Sequence, residues 1–154
     1  WENAPYRPIF TTVDSLVVID EHVLLIQRKN SPGKNLWALP GGFLDHGEFV
    51  HQGILRELYE ETNIDLTREQ LNLSKKGSFV FDYPSRSVRG QTITHAGLFH
   101  LTSISELPKI QAADDAKLAK WVSIKEIQQD LYDKMFDDHY QMIVVLLEKI
   151  GIKT

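Results

Sequence analysis

The segment GGFLDHGEFVHQGILRELYEETNI, Gly41 to Ile64, constrains this chain more than any other. After a glycine pair, Val50, Ile54 and Leu58 recur at i, i+4 and i+8, and Leu55 and Tyr59 widen the stripe. That period predicts an amphipathic helix over about Phe49–Thr62 with one face in the core. The same helix carries Glu57, Glu60 and Glu61. Glu57 and Glu61 share a face, and Glu57 and Glu60 are neighbours on it. Like charges so spaced repel by ~0.2–0.5 kcal/mol per pair in water, and by more where the site is partly dry. Arg56, four positions before Glu60, offsets one charge. Carboxylates left without a neutraliser call for a hard divalent cation. Mg2+ or Mn2+ takes oxygen ligands, keeps several waters and uses few carboxylates together with substrate phosphates.

A charge run is ordinarily a solvated helix face. Three features upstream argue for a site instead. Gly41-Gly42 lets backbone approach a ligand closely and offers carbonyls as metal ligands. Glu48 adds a carboxylate just before the helix. The apolar stripe anchors the helix, so its acidic face is held rigidly.

The rest of the chain supplies a frame for that segment. WENAPYRP reads as an irregular lead-in over residues 1–9. Phe10–Ile19 and His22–Arg28 read as strands joined by an Asp20-Glu21 hairpin. KNSPGKN is a loop, and LWALPGGF is a short strand that breaks at Pro40, Gly41 and Gly42. A small helical piece near TREQL precedes strands in Lys76–Pro84 and Gln91–Leu101, which flank the basic turn SRSVRG. AKWVSIKEIQQ reads as a strand followed by a helix. Asp137–Gly151 reads as a closing amphipathic helix with Asp137 as N-cap and Gly151 as stop. Mixed strands with two main helices predict an α+β fold, or a mixed β-sheet sandwiched between helices in an α/β/α arrangement. A length of 154 residues suits one domain.

Composition narrows the function classes. The net charge of −4 gives no bulk electrostatic case for a nucleic acid or membrane partner. The absence of cysteine excludes disulfides, thiolate catalysis and thiolate zinc sites. No apolar run approaches the ~20 residues of a membrane span. A cytoplasmic location is the default for such a chain. Because it opens at Trp1, an excised domain or a processed product is expected.

The Gly41–Ile64 segment resembles the signature of the Nudix hydrolases, G-x5-E-x7-R-E-U-x-E-E-x-G-U with U a bulky aliphatic. Here it is carried by Gly42, Glu48, Arg56, Glu57, Leu58, Glu60, Glu61 and Ile64. Asn63 stands where the pattern has glycine. Asparagine tolerates the left-handed backbone of a helix C-cap, so the departure leaves the carboxylates untouched. FTTVDSLVV, VLLIQRKNSPGKNLWALPGGF, RSVRGQTITHA, ADDAKLAKWVSI and FDDHYQMI extend the likeness to the ADP-ribose pyrophosphatase branch. In particular they are similar to the Nudix domain that follows a nicotinamide mononucleotide adenylyltransferase domain in bifunctional bacterial enzymes. The transferase's His-x-Gly-His motif is not in this sequence, so residues 1–9 are expected to be a linker from such a domain.

The resemblance implies a Nudix fold and roles for particular residues. Glu57, Glu60 and Glu61 match metal-binding glutamates, the Gly42 carbonyl a backbone ligand, and Arg56 the arginine that orients a glutamate. It also implies attack of a metal-activated water on a diphosphate. The proton acceptor is Glu57, or else Asp114 or Asp115 in AADDAK, whose alternative reading is a loop or helix cap. Arg86 and Arg89 in SRSVRG are candidates to hold the phosphates, which their planar forks suit, or the terminal ribose, unless they form only a solvated basic turn. Arg28, at a strand end, is a further phosphate candidate and Lys34 a poorer one. Phe43 and Tyr83 are candidate platforms for adenine. No histidines pair at metal spacing. Relatives are often dimers, so a homodimer is expected.

Three functions compete on this sequence. One is hydrolysis of ADP-ribose to AMP and ribose 5-phosphate in NAD metabolism. Another is hydrolysis of a different nucleoside diphosphate derivative. The last is a non-catalytic ADP-ribose sensor, against which the intact carboxylates argue.

Overall fold

The computed structural model describes residues 3–102 and 104–154, so Trp1 and Glu2 of the expected lead-in lie outside the described residues. Strand β1 (Phe10–Ile19) is the spine of a seven-stranded mixed sheet. β6 (Thr92–Leu101) runs parallel to it along its whole length, from Phe10 opposite Thr92 to Ile19 opposite Leu101. β5 (Lys75–Phe81) pairs antiparallel with the outer edge of β6. On the other edge, β1 is shared. Its C-terminal end forms the Asp20-Glu21 hairpin with β2 (His22–Arg28), pairing Val18 with Val23 and Ile19 with His22. Nearer its start, Thr12 to Asp14 pair instead with β4 (Gly41–Phe43). β2 thus diverges from β1 and continues beside β3 (Trp37–Ala38) and β7 (Ala116–Ser123). The fork between β1 and β2 opens the space in which the site described below is built.

The alternation of β1 determines which layer covers which face. Val13, Val17 and Ile19 face α1 (Val50–Thr62) and pack with Ile54, Leu55, Leu58 and Phe99. Leu16 and Val18 face the opposite layer, packing with Met142, Ile143, Leu146 and Leu147 of α4 (His139–Lys149). A second short helix, α2 (Arg68–Ser74), adds Leu71 to the α1 side. The α3 turn (Ile124–Glu126) continues as a π-helical turn over Ile127–Leu131 on the α4 side. The arrangement is the expected α+β one, with helices on both faces of the sheet.

Of the boundaries that differ from the expectation, two bear on the site. Gly41 and Gly42 lie inside β4 rather than ending a strand, because Leu39-Pro40 makes the break and the chain then re-pairs with β1. The closing helix begins at His139 with Asp138 as N-cap, not Asp137. Asp137 adopts a left-handed backbone (φ 47°), and the Asp138 carboxylate is engaged by Arg86 rather than by the helix N–H groups. At the other end, Gly151 (φ 78°) turns the chain as expected. Among the described residues no helix is long and apolar enough to cross a membrane.

Candidate active site

The glycine pair and the acidic helix meet because β4 leads directly into the loop before α1. A Cβ on Gly41 would overlap the Asp14 carboxylate and the Val13 carbonyl. One on Gly42 would stand 2.7 Å from Glu57 Oε1. Only glycine lets the strand lie this close to both acids. The Gly41 N–H donates to Glu61 Oε1 at 2.7 Å. Glu61 is 4% exposed, and burial pushes its carboxyl up to about 8, with the charges of Glu57, Asp14 and Asp115 adding to the shift against the Gly41 hydrogen bond. Burial also raises Glu57, against the pull of Arg56. Both carboxylates are therefore held where negative charge is costly, and only Glu57 has an arginine to offset it.

Arg56 fixes the front of the helix. Its Nε and Nη2 donate to the two Glu48 oxygens at 2.7 and 3.0 Å, and Nη1 donates to Glu57 Oε1 at 2.9 Å. Nη2 also donates to the Phe43 carbonyl at 3.1 Å, tying the helix to the end of β4. The bidentate Arg56 contact holds Glu48 below the usual carboxylate range. Glu60 accepts from Arg56 at 3.2 Å with its side chain 44% exposed, so it stands outside the cleft beside the arginine.

Glu57 and Glu61 line a cleft of about 420 Å3 together with Gly42, Phe43, Arg28, Arg89 and Asp115. Of the paired aspartates, only Asp115 lines it. Asp114 takes the left-handed position of the turn into β7 (φ 51°), in keeping with its alternative reading as a loop residue. Arg28 is anchored by donation from Nε to the Pro32 carbonyl at 2.9 Å, and burial with the nearby Arg89 charge lowers its proton affinity. The Arg89 guanidinium lies over the Phe43 ring at 5.0 Å, and Phe43 is 45% exposed.

Arg86 is a correction. Its side chain, 1% exposed, is turned into the protein. There Nε and Nη2 donate to Asp138 at 3.1 and 2.7 Å, and Nη1 donates to Thr92 Oγ1 at 2.6 Å. With its fork spent on internal acceptors, it has no free face for a phosphate. Tyr83, 70% exposed, does not line the cleft either.

The structure also brings in residues that the sequence reading passed over. A small chamber of about 20 Å3, sharing Gly41, Glu61 and Arg89 with the cleft, is also lined by Thr12, Asp14 and His139. Asp14 accepts from the Thr94 hydroxyl, and burial pushes it up to about 6. His139 Nδ1 accepts from the Leu39 N–H at 3.0 Å, and burial lowers its pKa to about 4, so it is neutral near pH 7. An isolated aspartate in a strand and a histidine at a helix start carry no signal of this kind.

Among the described residues no three acidic or histidine side chains already converge on one point. The donors at hand are Glu57, Glu61 and backbone carbonyl oxygen, all hard ligands, and no described Lys or Arg forms an ion pair with Glu61. A buried carboxylate without an ion-pair partner, Glu61, beside the half-buried Glu57 whose one arginine also serves Glu48 and Glu60, fits a divalent cation that retains water and substrate oxygens in its shell.

A helix that locks a buried and a half-buried glutamate against a glycine strand, with an arginine holding it from the front, defines a Nudix site. The NUDIX domain family profile matches residues 10–145, and the chain belongs to that family. It is 35% identical over 121 residues to an ADP-ribose pyrophosphatase of Methanocaldococcus jannaschii, covering 79% of this chain and 66% of that protein. Among solved structures, it superposes on a Francisella tularensis bifunctional NMN adenylyltransferase/ADP-ribose pyrophosphatase complexed with AMP and Mn ion, at TM-score 0.95 and 55% identity. That match covers 98% of this chain and 44% of the Francisella chain, so these relatives are longer than the sequence here. The NUDIX domain of Shewanella oneidensis NrtR, solved with ADP-ribose, superposes at TM-score 0.73 and 26% identity, covering 97% and 96% of the two chains.

Proposed function

We propose that this chain hydrolyses the diphosphate of ADP-ribose to AMP and ribose 5-phosphate, with Mg2+ or Mn2+ held by Glu57, Glu61 and the Gly42 carbonyl. The observation that carries this reading is the buried Glu61, bonded to the Gly41 N–H beside Glu57 and without an ion-pair partner. Glu60 stands apart as a charge on Arg56, so it contributes to the field of the site rather than to its inner ligands. A divalent ion bound there supplies a water of lowered pKa and neutralises charge gathering on the phosphate oxygens.

The chain's own residues carry the remaining work. Arg28 and Arg89 bind the diphosphate, and Phe43 offers its exposed face to the base. Glu57 or Asp115 accepts the proton of the attacking water. The water oxygen bonds to one phosphorus as that phosphorus parts from the bridging oxygen, which leaves on the other phosphate. Arg56 keeps Glu57 oriented throughout.

Product analysis with Mg2+ and ADP-ribose tests the reading. Release of AMP supports it, turnover only of other nucleoside diphosphates reassigns the substrate, and tight binding without turnover makes the chain a sensor. The 55% identity to the Francisella protein supports reading it as the hydrolase half of a bifunctional enzyme.

A further inference from the structure

Phe136, Asp137 and Asp138 lead into α4 and take no part in the steps above, yet the side chains of Phe136 and Asp137 lie against the two cleft arginines. Phe136 is 2% exposed. The Arg28 guanidinium lies 4.0 Å from its ring centroid and that of Arg89 lies 5.2 Å from it. A Cβ on Gly33 would overlap the same ring, so the loop carrying Pro32 is seated on it. The Asp137 side chain, 1% exposed, accepts from the Val88 N–H at 3.5 Å. Its Oδ2 lies 3.8 Å from Arg89 Nη2, within electrostatic range but without a hydrogen bond. Asp138 holds Arg86, and His139 holds Leu39 just ahead of the glycine strand.

Two guanidinium groups sharing one ring repel each other. Left to themselves they would separate into solvent, and a diphosphate would have to gather them on binding. We propose that Phe136 and Asp137 are positioning residues that hold Arg28 and Arg89 as a preformed pair for a diphosphate. The ring's negative face and the buried carboxylate together offset the repulsion. This rests on the reading that the cleft takes a diphosphate.

Phe136→Leu keeps an apolar side chain and removes the ring face. Losing two cation–π contacts at about threefold each predicts a KM for ADP-ribose raised about tenfold, with kcat within about twofold. Asp137→Asn, nearly isosteric, predicts a KM raised about threefold and serves if Phe136→Leu does not fold. In an Arg89→Ala background the Phe136→Leu effect shrinks to about threefold, because one of its two contacts is already gone. Mn2+ affinity without substrate stays unchanged in both variants. A purely structural role would lower kcat or Mn2+ affinity and leave KM in place, or would add in full to Arg89→Ala; either result overturns the proposal. If the wild-type chain does not cleave ADP-ribose, the functional reading fails separately. The affinity for inorganic pyrophosphate with Mn2+ then replaces KM, and an unchanged affinity in both variants refutes the positioning role.

Discussion

Arg86 and Arg89 are three positions apart in one turn, and the structure gives them opposite work. Arg86→Ala leaves Asp138 and Thr92 without their partner. It is expected to destabilise the fold by roughly 2–3 kcal/mol, below the range for a fully buried pair because Asp138 keeps some solvent contact. A lowered Tm with KM little changed in the folded fraction is the expected pattern. Arg89→Ala should do the reverse, raising KM while lowering Tm less than Arg86→Ala does, because Asp137 lies 3.8 Å from Arg89 without a hydrogen bond to it. Matching Tm and KM changes in both variants would show that the two arginines do not divide in this way. Glu61→Gln keeps the shape and the bond from Gly41 but cannot ionise to offer a carboxylate to a cation. Turnover should fall by at least about 10²-fold, the scale of a positioned charged group in an active site, with folding retained. Undiminished turnover would remove Glu61 from the reaction.

Helix α1 presents both its core stripe and its acidic face because its ends are fixed. The C-terminal end is held by Asn63 in a left-handed conformation (φ 47°), whose side-chain Nδ2 donates to the Gln111 carbonyl at 2.9 Å. Asn63→Ala places a β-carbon in that conformation and removes the hydrogen bond. A loss of about 1–2 kcal/mol in urea unfolding is expected, while Asn63→Gly should cost less because glycine adopts the turn freely. Equal losses would show that the backbone conformation is not the source of the effect. The helix itself was legible in its three-to-four-residue period. The start of α4 was not, because Asp137 and Asp138 are equally good caps in sequence. Only the position of Arg86, 52 residues away from Asp138, decides what the second one does.

Across the whole molecule, the layer containing His139 couples the site to pH. Its pKa is lowered from 6.5 to about 4, so the unfolded chain takes up a proton that the folded one refuses. The stability it contributes is fully present above pH 6.5 and is lost as pH falls toward 4. Asp14, raised from 3.8 to about 6, acts in the opposite sense, since its folded form keeps a proton that the unfolded chain releases as pH rises between those values. His139→Gln should therefore make stability less sensitive to acid between pH 6.5 and 4 than in the wild type, as read by Tm at each pH. An acid limb equal to that of the wild type would mean that His139 does not titrate in the folded chain as its burial requires. Sequence alone determined the helix, its charged face and the glycines beside it, because each is a local matter of period, spacing and backbone freedom. Tertiary structure alone decided which of several equivalent arginines and aspartates reach the cleft. That choice depends on where the fork between β1 and β2 leaves a buried acid or an open wall, and a charged side chain turns toward whichever partner the packed chain supplies.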